Sequence, residues 1–392
     1  MEPWLLILNV GSSSVKFAVY EKRGRVRRVR GAVSGLPEKA TFTVEPIREP
    51  PSCPAPMDLE RAVSFVVDWA VTRFGAAGLR AVGHRIVHGG RDYAAPAILT
   101  EDTAARLQRL SPLAPLHQPF GLVGVAQAKR YAPHAVQIGC FDTAFHADRP
   151  EVDKLLPLPR DFAARGVVRY GFHGLSYEHI AAELSRNLGA PAGGRTVAAH
   201  LGAGASLCAM DKGRSIATTM GFTPLGGIPM ATRPGDLDPG VILYLLEEER
   251  MNVEDVRELL YHRSGLLGLS GESSDFRALL GSSTNEAAQA VDLYVTRVAR
   301  EVAAMASALG GLETLVFTGG VGEQSSQVRA LICRACAWMG VQLHAEANEA
   351  HRTELHAPSS SVRVLRIPAD EEAVIAAHVV RALRTGAADP GS

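Results

Sequence analysis

Neither sign of charge prevails in this chain: Lys plus Arg number 41 and Asp plus Glu 41 among 392 residues. With no surplus there is no global field to gather nucleic acid or an anionic membrane surface, so a charged ligand has to be held by local groups. Long apolar runs are also absent. No stretch reaches the roughly 18 residues that a membrane helix needs, and the start Met1-Glu2-Pro3-Trp4 carries no basic leader; the expectation is a soluble cytoplasmic protein. Cysteine is scarce: Cys53, Cys140, Cys208, Cys333 and Cys336 are odd in number and scattered, which speaks against a disulfide framework. Cys333 and Cys336 have CxxC spacing but no second pair, and their apolar surroundings predict packing on a helix rather than zinc or redox chemistry. The chain lacks a Gly-Lys dipeptide, which removes a Walker-type phosphate loop, and it lacks GxSxG.

Glycine and proline, in contrast, are placed with pattern. The apolar run Leu5 to Asn9 breaks at Gly11-Ser12-Ser13-Ser14 and resumes through Val15 to Tyr20, which predicts a hairpin. Thr196 to Leu201, Gly202-Ala203-Gly204-Ala205-Ser206 and Leu207 to Met210 repeat that unit about 190 residues later. Two related α/β halves, or two unrelated hairpins, both satisfy the repeat. Pro46 to Pro56 reads as an irregular surface connection. An Asp cap and helical apolar spacing predict a helix over 58–74; further helices are predicted over 285–309 and 370–383, short buried strands at 81–87, 136–141, 315–318 and 362–367, and a frayed tail from Thr385 to Ser392.

Three Gly-rich turns present backbone amides without bulky side chains: Gly11 to Ser14 with Lys16, Gly202 to Gly204, and Thr318-Gly319-Gly320-Val321-Gly322-Glu323. Their number favours a polyphosphate ligand, although each alone can be an ordinary turn. Gly202-Ala203-Gly204 lacks a third glycine and leads into a strand, unlike a dinucleotide fingerprint. His84 and His88 stand four apart on strand-like sequence, a poor zinc pair. Arg85 and Arg233 are lone cations in apolar or Gly-rich settings, where a guanidinium pairs with carboxylate or phosphate; Asp236 or Asp238 is the structural alternative for Arg233. Asp142 follows a predicted strand, as a ligand-binding carboxylate or a helix cap, and His173 stands in Tyr170-Gly-Phe-His-Gly174 as a phosphoryl contact or a structural histidine.

Ten collinear segments resemble the acetate kinase family, of the superfamily that also holds actin, sugar kinases and heat-shock chaperone ATPases. They are Asn9 to Lys16, Gly83-His-Arg-Ile-Val-His-Gly-Gly90, Leu113-Ala-Pro-Leu-His117, Phe141-Asp-Thr-Ala-Phe-His146, Arg169 to Gly174, Met220-Gly-Phe-Thr-Pro224, Thr232-Arg-Pro-Gly-Asp236, Ser264 to Gly271, Phe317 to Glu323 and Ile367-Pro-Ala-Asp-Glu-Glu372. The resemblance implies an α/β fold of duplicated actin-like (ribonuclease H-like) domains around a central nucleotide cleft, 1–142 with 373–392 and then 143–372. It implies reversible phosphoryl transfer from ATP to a short carboxylate, most simply acetate, with propionate, another short-chain acid or a weakened nucleotide-binding regulator as alternatives. Arg85 resembles the substrate arginine, Arg233 and His173 the transition-state stabilisers, and Asp142 the catalytic aspartate, expected to orient the metal shell or Arg233, with general acid/base work as the second role. Asn9 and Glu371 match the positions associated with Mg²⁺, or Mn²⁺.

By the same resemblance, ATP or ADP would lie against Ser12, Ser14, Lys16, His200, Leu201, Gly202, Ala203, Gly204, Asp275, Phe276, Arg277, Gly320, Val321, Gly322, Glu323 and Gln324. The acyl pocket would be lined by Val87, Leu116, His117, Phe172 and Pro224, and a homodimer binding no nucleic acid and no membrane is expected. The chain departs from the family at Ala203, Ala205, Leu175, Tyr177 and Pro234, where fewer polar side chains can meet phosphate and weaker nucleotide affinity is expected.

Overall fold

The structure, a computed structural model, describes residues 2–21, 24, 26–188 and 194–385, so the predicted fraying beyond Thr385 lies outside the described residues. The chain divides into two compact units, 1–147 with 370–392, and 148–369. The expected boundary after residue 372 put Glu371 and Glu372 in the second domain. They belong with the first, because the helix Glu371–Thr385 starts there.

The first unit is built on β1 (Trp4–Val10), β2 (Ser14–Glu21), β3 (Val26–Ser34), β4 (Thr41–Glu45), β5 (Leu79–Ile86), β6 (Ala97–Ile98) and β7 (Val136–Phe141), in the sheet order β4-β3-β2-β1-β5-β7-β6. β1 to β4 form an antiparallel meander, whereas β1, β5 and β7 run parallel, so their C-terminal ends share one edge. β1 is apolar almost throughout because both its faces are covered. The helix Leu59–Phe74, capped by Asp58, buries Ala62, Val63, Val66, Val67 and Ala70; each fully buried valine is worth about 1.5–3 kcal/mol. Phe17, Phe42 and Trp69 close that core with ring centroids 5.4–5.7 Å apart. The helix Glu371–Thr385 lies so close to β5 that a Cβ on Gly83 would sit 2.6 Å from Val379 and 2.7 Å from Ile375.

The second unit repeats the plan. β8 (Arg195–Leu201), β9 (Ala205–Asp211), β10 (Arg214–Thr218), β11 (Thr314–Thr318) and β12 (Arg363–Arg366) follow the order β10-β9-β8-β11-β12. β8 to β10 are the antiparallel meander and β8, β11 and β12 the parallel set. The helix Asn285–Leu309 turns nine side chains, from Ala287 to Ala306, into the core. Cys333 is buried on the helix Ser326–Ala335 and Cys336 just beyond it; both thiols are free, with burial pushing Cys336 up to about 12. That is the packing role predicted for the CxxC pair.

Candidate active site

In the first unit the parallel strands deliver charged side chains to one edge. Arg85 lies near the end of β5, Asn9 near the end of β1, and Asp142 directly after β7, where its N–H donates to Ile86 O at 3.0 Å. Arg85 Nε donates to both Asp142 carboxylate oxygens at 3.1 Å and Nη2 to Oδ2 at 2.7 Å. Its Nη1 is 3.1 Å from Glu371 Oε2 and donates to Asn9 Oδ1 at 3.4 Å, while Asn9 Nδ2 donates to Glu371 Oε2 at 3.0 Å. Among the described residues these contacts leave one N–H on Nη2 unmatched. Burial alone would lower the guanidinium's pKa, but Asp142 and then Glu371 more than offset it and hold Arg85 above its ordinary value. Burial likewise pushes the Asp142 carboxyl upward, against the pull of Arg85 and with the push of Glu371. Within the first unit Asp142 holds Arg85 in orientation.

That cluster holds one more carboxylate than guanidinium and offers hard oxygen donors from Asn9, Asp142 and Glu371. Among the described residues no group of three or more His, Cys, Asp or Glu side chains could cage a metal ion. Mg²⁺ suits such a donor set, since it keeps several waters and takes one or two carboxylates together with substrate phosphates.

In the second unit a basic pair meets over a glycine. A Cβ on Gly204 would lie 2.8 Å from Arg233 Nη2 and 3.5 Å from His173 Nε2, so both side chains border the space that the missing side chain leaves. Arg233 is buried; Nη1 donates to Pro224 O at 2.8 Å, and among the described residues no carboxylate lies within 4 Å of it. The structural alternatives have other partners: Asp236 Oδ1 accepts from Gly227 N at 2.6 Å and Asp238 caps the helix Pro239–Glu247. Burial without a counter-charge brings the Arg233 guanidinium down to about 10. His173 has φ 57°, a left-handed conformation that costs a non-glycine residue about 1–3 kcal/mol and gathers at functional sites. Its ring stacks on His200 with centroids 4.3 Å apart. Thr318 pairs with His200 in the parallel register, so the His200–Gly204 turn and the Gly319–Gln324 helix leave adjacent strands at the same edge.

A profile of the acetokinase family matches residues 4–377. The chain belongs to the acetokinase family. It is 46% identical to an acetate kinase of Rhodopseudomonas palustris over 97% of this chain and 98% of that protein. It is 42% identical to the acetate kinase of Methylocella silvestris, covering 98% of each. Among solved structures it resembles Porphyromonas gingivalis acetate kinase, with TM-score 0.85 and 35% identity over 97% of this chain and all of that one. A propionate kinase from Francisella tularensis aligns with TM-score 0.89 and 29% identity over 96% and 98%. With these relatives the paired sheets are the duplicated actin-like architecture.

The remaining acetokinase positions are distributed as follows. Ser12 and Lys16 are exposed and Ser14 half-buried around the β1–β2 turn, where Lys16 pairs with Asn9 across the strands. Leu201 is buried under the Gly319–Gln324 helix, and Ala203, Gly320 and Gln324 are exposed. Glu323 accepts from Gly319 N at 3.0 Å and Ala369 N at 2.9 Å, so its carboxylate fixes the loop's shape. Asp275 and Arg277 pair with each other in solvent at 2.9 Å, and Phe276 is buried against Tyr294. Val87, Leu116 and His117 are half-buried in the first unit, Phe172 and Pro224 buried in the second. Sequence reading missed Gln118, whose buried amide bonds His88 N and O at 3.0 and 2.9 Å and Leu107 O at 3.2 Å, fixing Val87 relative to Leu116 and His117. Nothing in Gln118-Pro-Phe marks that role. His84 and His88 are buried and structural: His84 Nε2 donates to Gln137 Oε1 at 2.8 Å, and His88 Nδ1 accepts from Gly90 N at 2.9 Å.

Proposed function

We propose that the chain is an acetate kinase, which transfers the γ-phosphoryl group of ATP to the carboxylate of acetate, reversibly. A carboxylate oxygen bonds to the γ-phosphorus as the bond to the β–γ bridging oxygen breaks, so acetyl phosphate and ADP form without a proton to remove. Catalysis then rests on positioning and on neutralising crowded anionic oxygens. The observation that carries the reading is Arg233: a buried guanidinium with no carboxylate partner among the described residues, beside an imidazole and an open glycine, is poised for an anion that arrives from outside. Arg85 is assigned to the acceptor carboxylate, with Asp142 as its orienting partner rather than a base. The Gly-rich loops of the second unit are assigned to nucleotide phosphates. Asn9 and Glu371 are assigned to hold Mg²⁺, or Mn²⁺, which on binding supplies charge neutralisation at phosphate oxygens.

The relatedness to a propionate kinase favours propionate as a second acceptor, and one methylene in an acyl pocket is worth only about 1–3 kcal/mol. Purified protein with ATP, Mg²⁺ and acetate should yield acyl phosphate trapped by hydroxylamine. Comparing kcat/KM for formate, acetate, propionate and butyrate ranks the acceptors; no product with any of them sinks the proposal. A homodimer is supported by the helix Pro239–Glu247, whose apolar run Val241 to Leu246 has no buried residue, with Leu243 56% and Tyr244 53% exposed. Cytoplasmic residence is supported by five scattered cysteines that form no disulfide.

A further inference from the structure

Between Val168 and the helix Gly174–Leu188 the chain belongs to no helix or strand, yet this stretch carries Phe172 and His173. Its backbone is contorted: Gly171 has φ 83° and His173 φ 57°, both left-handed, on either side of the buried Phe172. Such a conformation persists only where the surroundings over-determine it, so the bonds to its peptide groups matter. Two carbonyls take the N–H groups: Arg169 N donates to Lys154 O at 2.8 Å, and Tyr170 N and Gly171 N to Gly221 O at 3.0 and 3.3 Å. A guanidinium meets the carbonyls. Arg149 Nη2 donates to Arg169 O at 2.8 Å and to Tyr170 O at 3.1 Å, while Nη1 pairs with Asp153, four residues further along.

We infer that Arg149 is a positioning residue for Phe172 and His173. Its side chain is buried, and the planar fork of a guanidinium can hold a carboxylate on one nitrogen and two successive carbonyls on the other, which neither an ammonium nor an apolar side chain can do. A buried ion pair is weak evidence of stability, since an apolar group of similar volume often serves the fold as well. The bonds to Arg169 O and Tyr170 O give this charge another use: they fix the two peptide planes from which Gly171, Phe172 and His173 depart. A second arginine ties the same stretch to the sheet, where Arg169 Nη2 donates to Thr218 O at 2.8 Å and Thr219 O at 3.2 Å at the end of β10. Held from the sheet on one side and from the short helix Glu151–Lys154 on the other, the stretch delivers His173 Nε2 beside Gly204 and Arg233.

The inference rests on the kinase reading only for its effect on turnover; the brace itself is read without substrate. In the ligand-free protein, deuterium exchange at the amides of Tyr170 and Gly171 should be roughly tenfold faster in Arg149→Met than in the wild type, and unchanged along β9. In the same variant kcat should fall roughly tenfold, with KM for ATP within about twofold. Arg149→Lys keeps a charge beside Asp153 without the fork, and should lie between the two on both measures. Wild-type exchange at Tyr170 and Gly171, or wild-type kcat, in Arg149→Met overturns the inference, as does exchange that quickens throughout the second unit, the mark of a general structural role. If Arg149→Met does not fold, Arg149→Lys decides by the same measures: local quickening with lowered kcat supports the brace, and wild-type values overturn it. Absence of turnover in the wild type would strike the kinase proposal, and the exchange pattern would still decide whether Arg149 holds the stretch.

Discussion

Arg233 shows at the scale of one residue how a site can oppose stability. A buried guanidinium with no carboxylate partner among the described residues destabilises the fold, because desolvation of the charge outweighs its bond to Pro224 O. Arg233→Met keeps the volume and removes the charge. The variant is expected to unfold at the same temperature as the wild type or a higher one, while kcat falls by roughly 10²–10³-fold. Calorimetric unfolding paired with the hydroxamate assay checks both halves, and a variant that is inactive because it is unstable would contradict the argument. His84 is the opposite case, a charge kept out of the core. Burial brings His84 and His88 down to about 4, so both are neutral in the fold, whereas an unfolded chain takes up those protons from about pH 6.5 downward. Their contribution to stability is complete above pH 6.5 and is lost as the pH falls from there through 4. Asp142 and Glu372, raised by burial, act in the opposite sense, so the measurement is a difference. His84→Leu should be less stable than the wild type at pH 7.5, because Gln137 Oε1 loses its donor, and the gap in urea midpoint should narrow steadily toward pH 4.5.

At the scale of elements, Arg233 is held by backbone rather than by side chains. The short helix Gly265–Ser270 grips its loop: Ser264 N donates to Thr232 O at 3.0 Å, Leu266 N to Met230 O at 2.9 Å and Leu267 N to Ala231 O at 3.0 Å. Gly265, at φ 62°, is where the two chains touch, and a Cβ there would lie 2.7 Å from Arg233 O and 2.8 Å from Arg233 N. Gly265→Ala is therefore expected to destabilise by on the order of 3 kcal/mol and to lower kcat with it, although residue 265 bears no functional side chain. An alanine variant with wild-type unfolding and turnover would refute this bracing role. The elements that sequence alone revealed are those with a clear apolar pattern: the hairpins β1–β2 and β8–β9, the helices Leu59–Phe74, Asn285–Leu309 and Glu371–Thr385, and the short strands β5, β7, β11 and β12. β3, with Arg27, Arg28 and Arg30 exposed along it, carries too little apolar signal to be read. The parts of the site that sequence revealed were its charged and Gly-rich residues. Gln118, which fixes the loop around His88, gave no signal, because a buried amide is defined by partners distant in sequence.

The whole molecule poses a question of solvent exposure that neither unit answers alone. A helix that is apolar along its length is ordinarily buried, yet Pro239–Glu247 buries none of its residues, and Leu237 and Val253 nearby are 43% and 65% exposed. Zero net charge gives the chain no electrostatic repulsion to keep copies apart, and the proposed homodimer would cover this surface with a second copy. Sedimentation at micromolar concentration is then expected to give twice the 41.7 kDa chain mass. Leu243→Glu puts a charge into the middle of the covered run. Its desolvation and the lost apolar burial, about 2 kcal/mol or more together at each of two symmetric positions, should weaken association by at least 10²-fold and release a folded monomer. Because Leu243 is exposed within the unit, the circular dichroism of the variant should match the wild type. A wild type that sediments at the single-chain mass, or a Leu243→Glu variant that stays dimeric, would place the interface elsewhere.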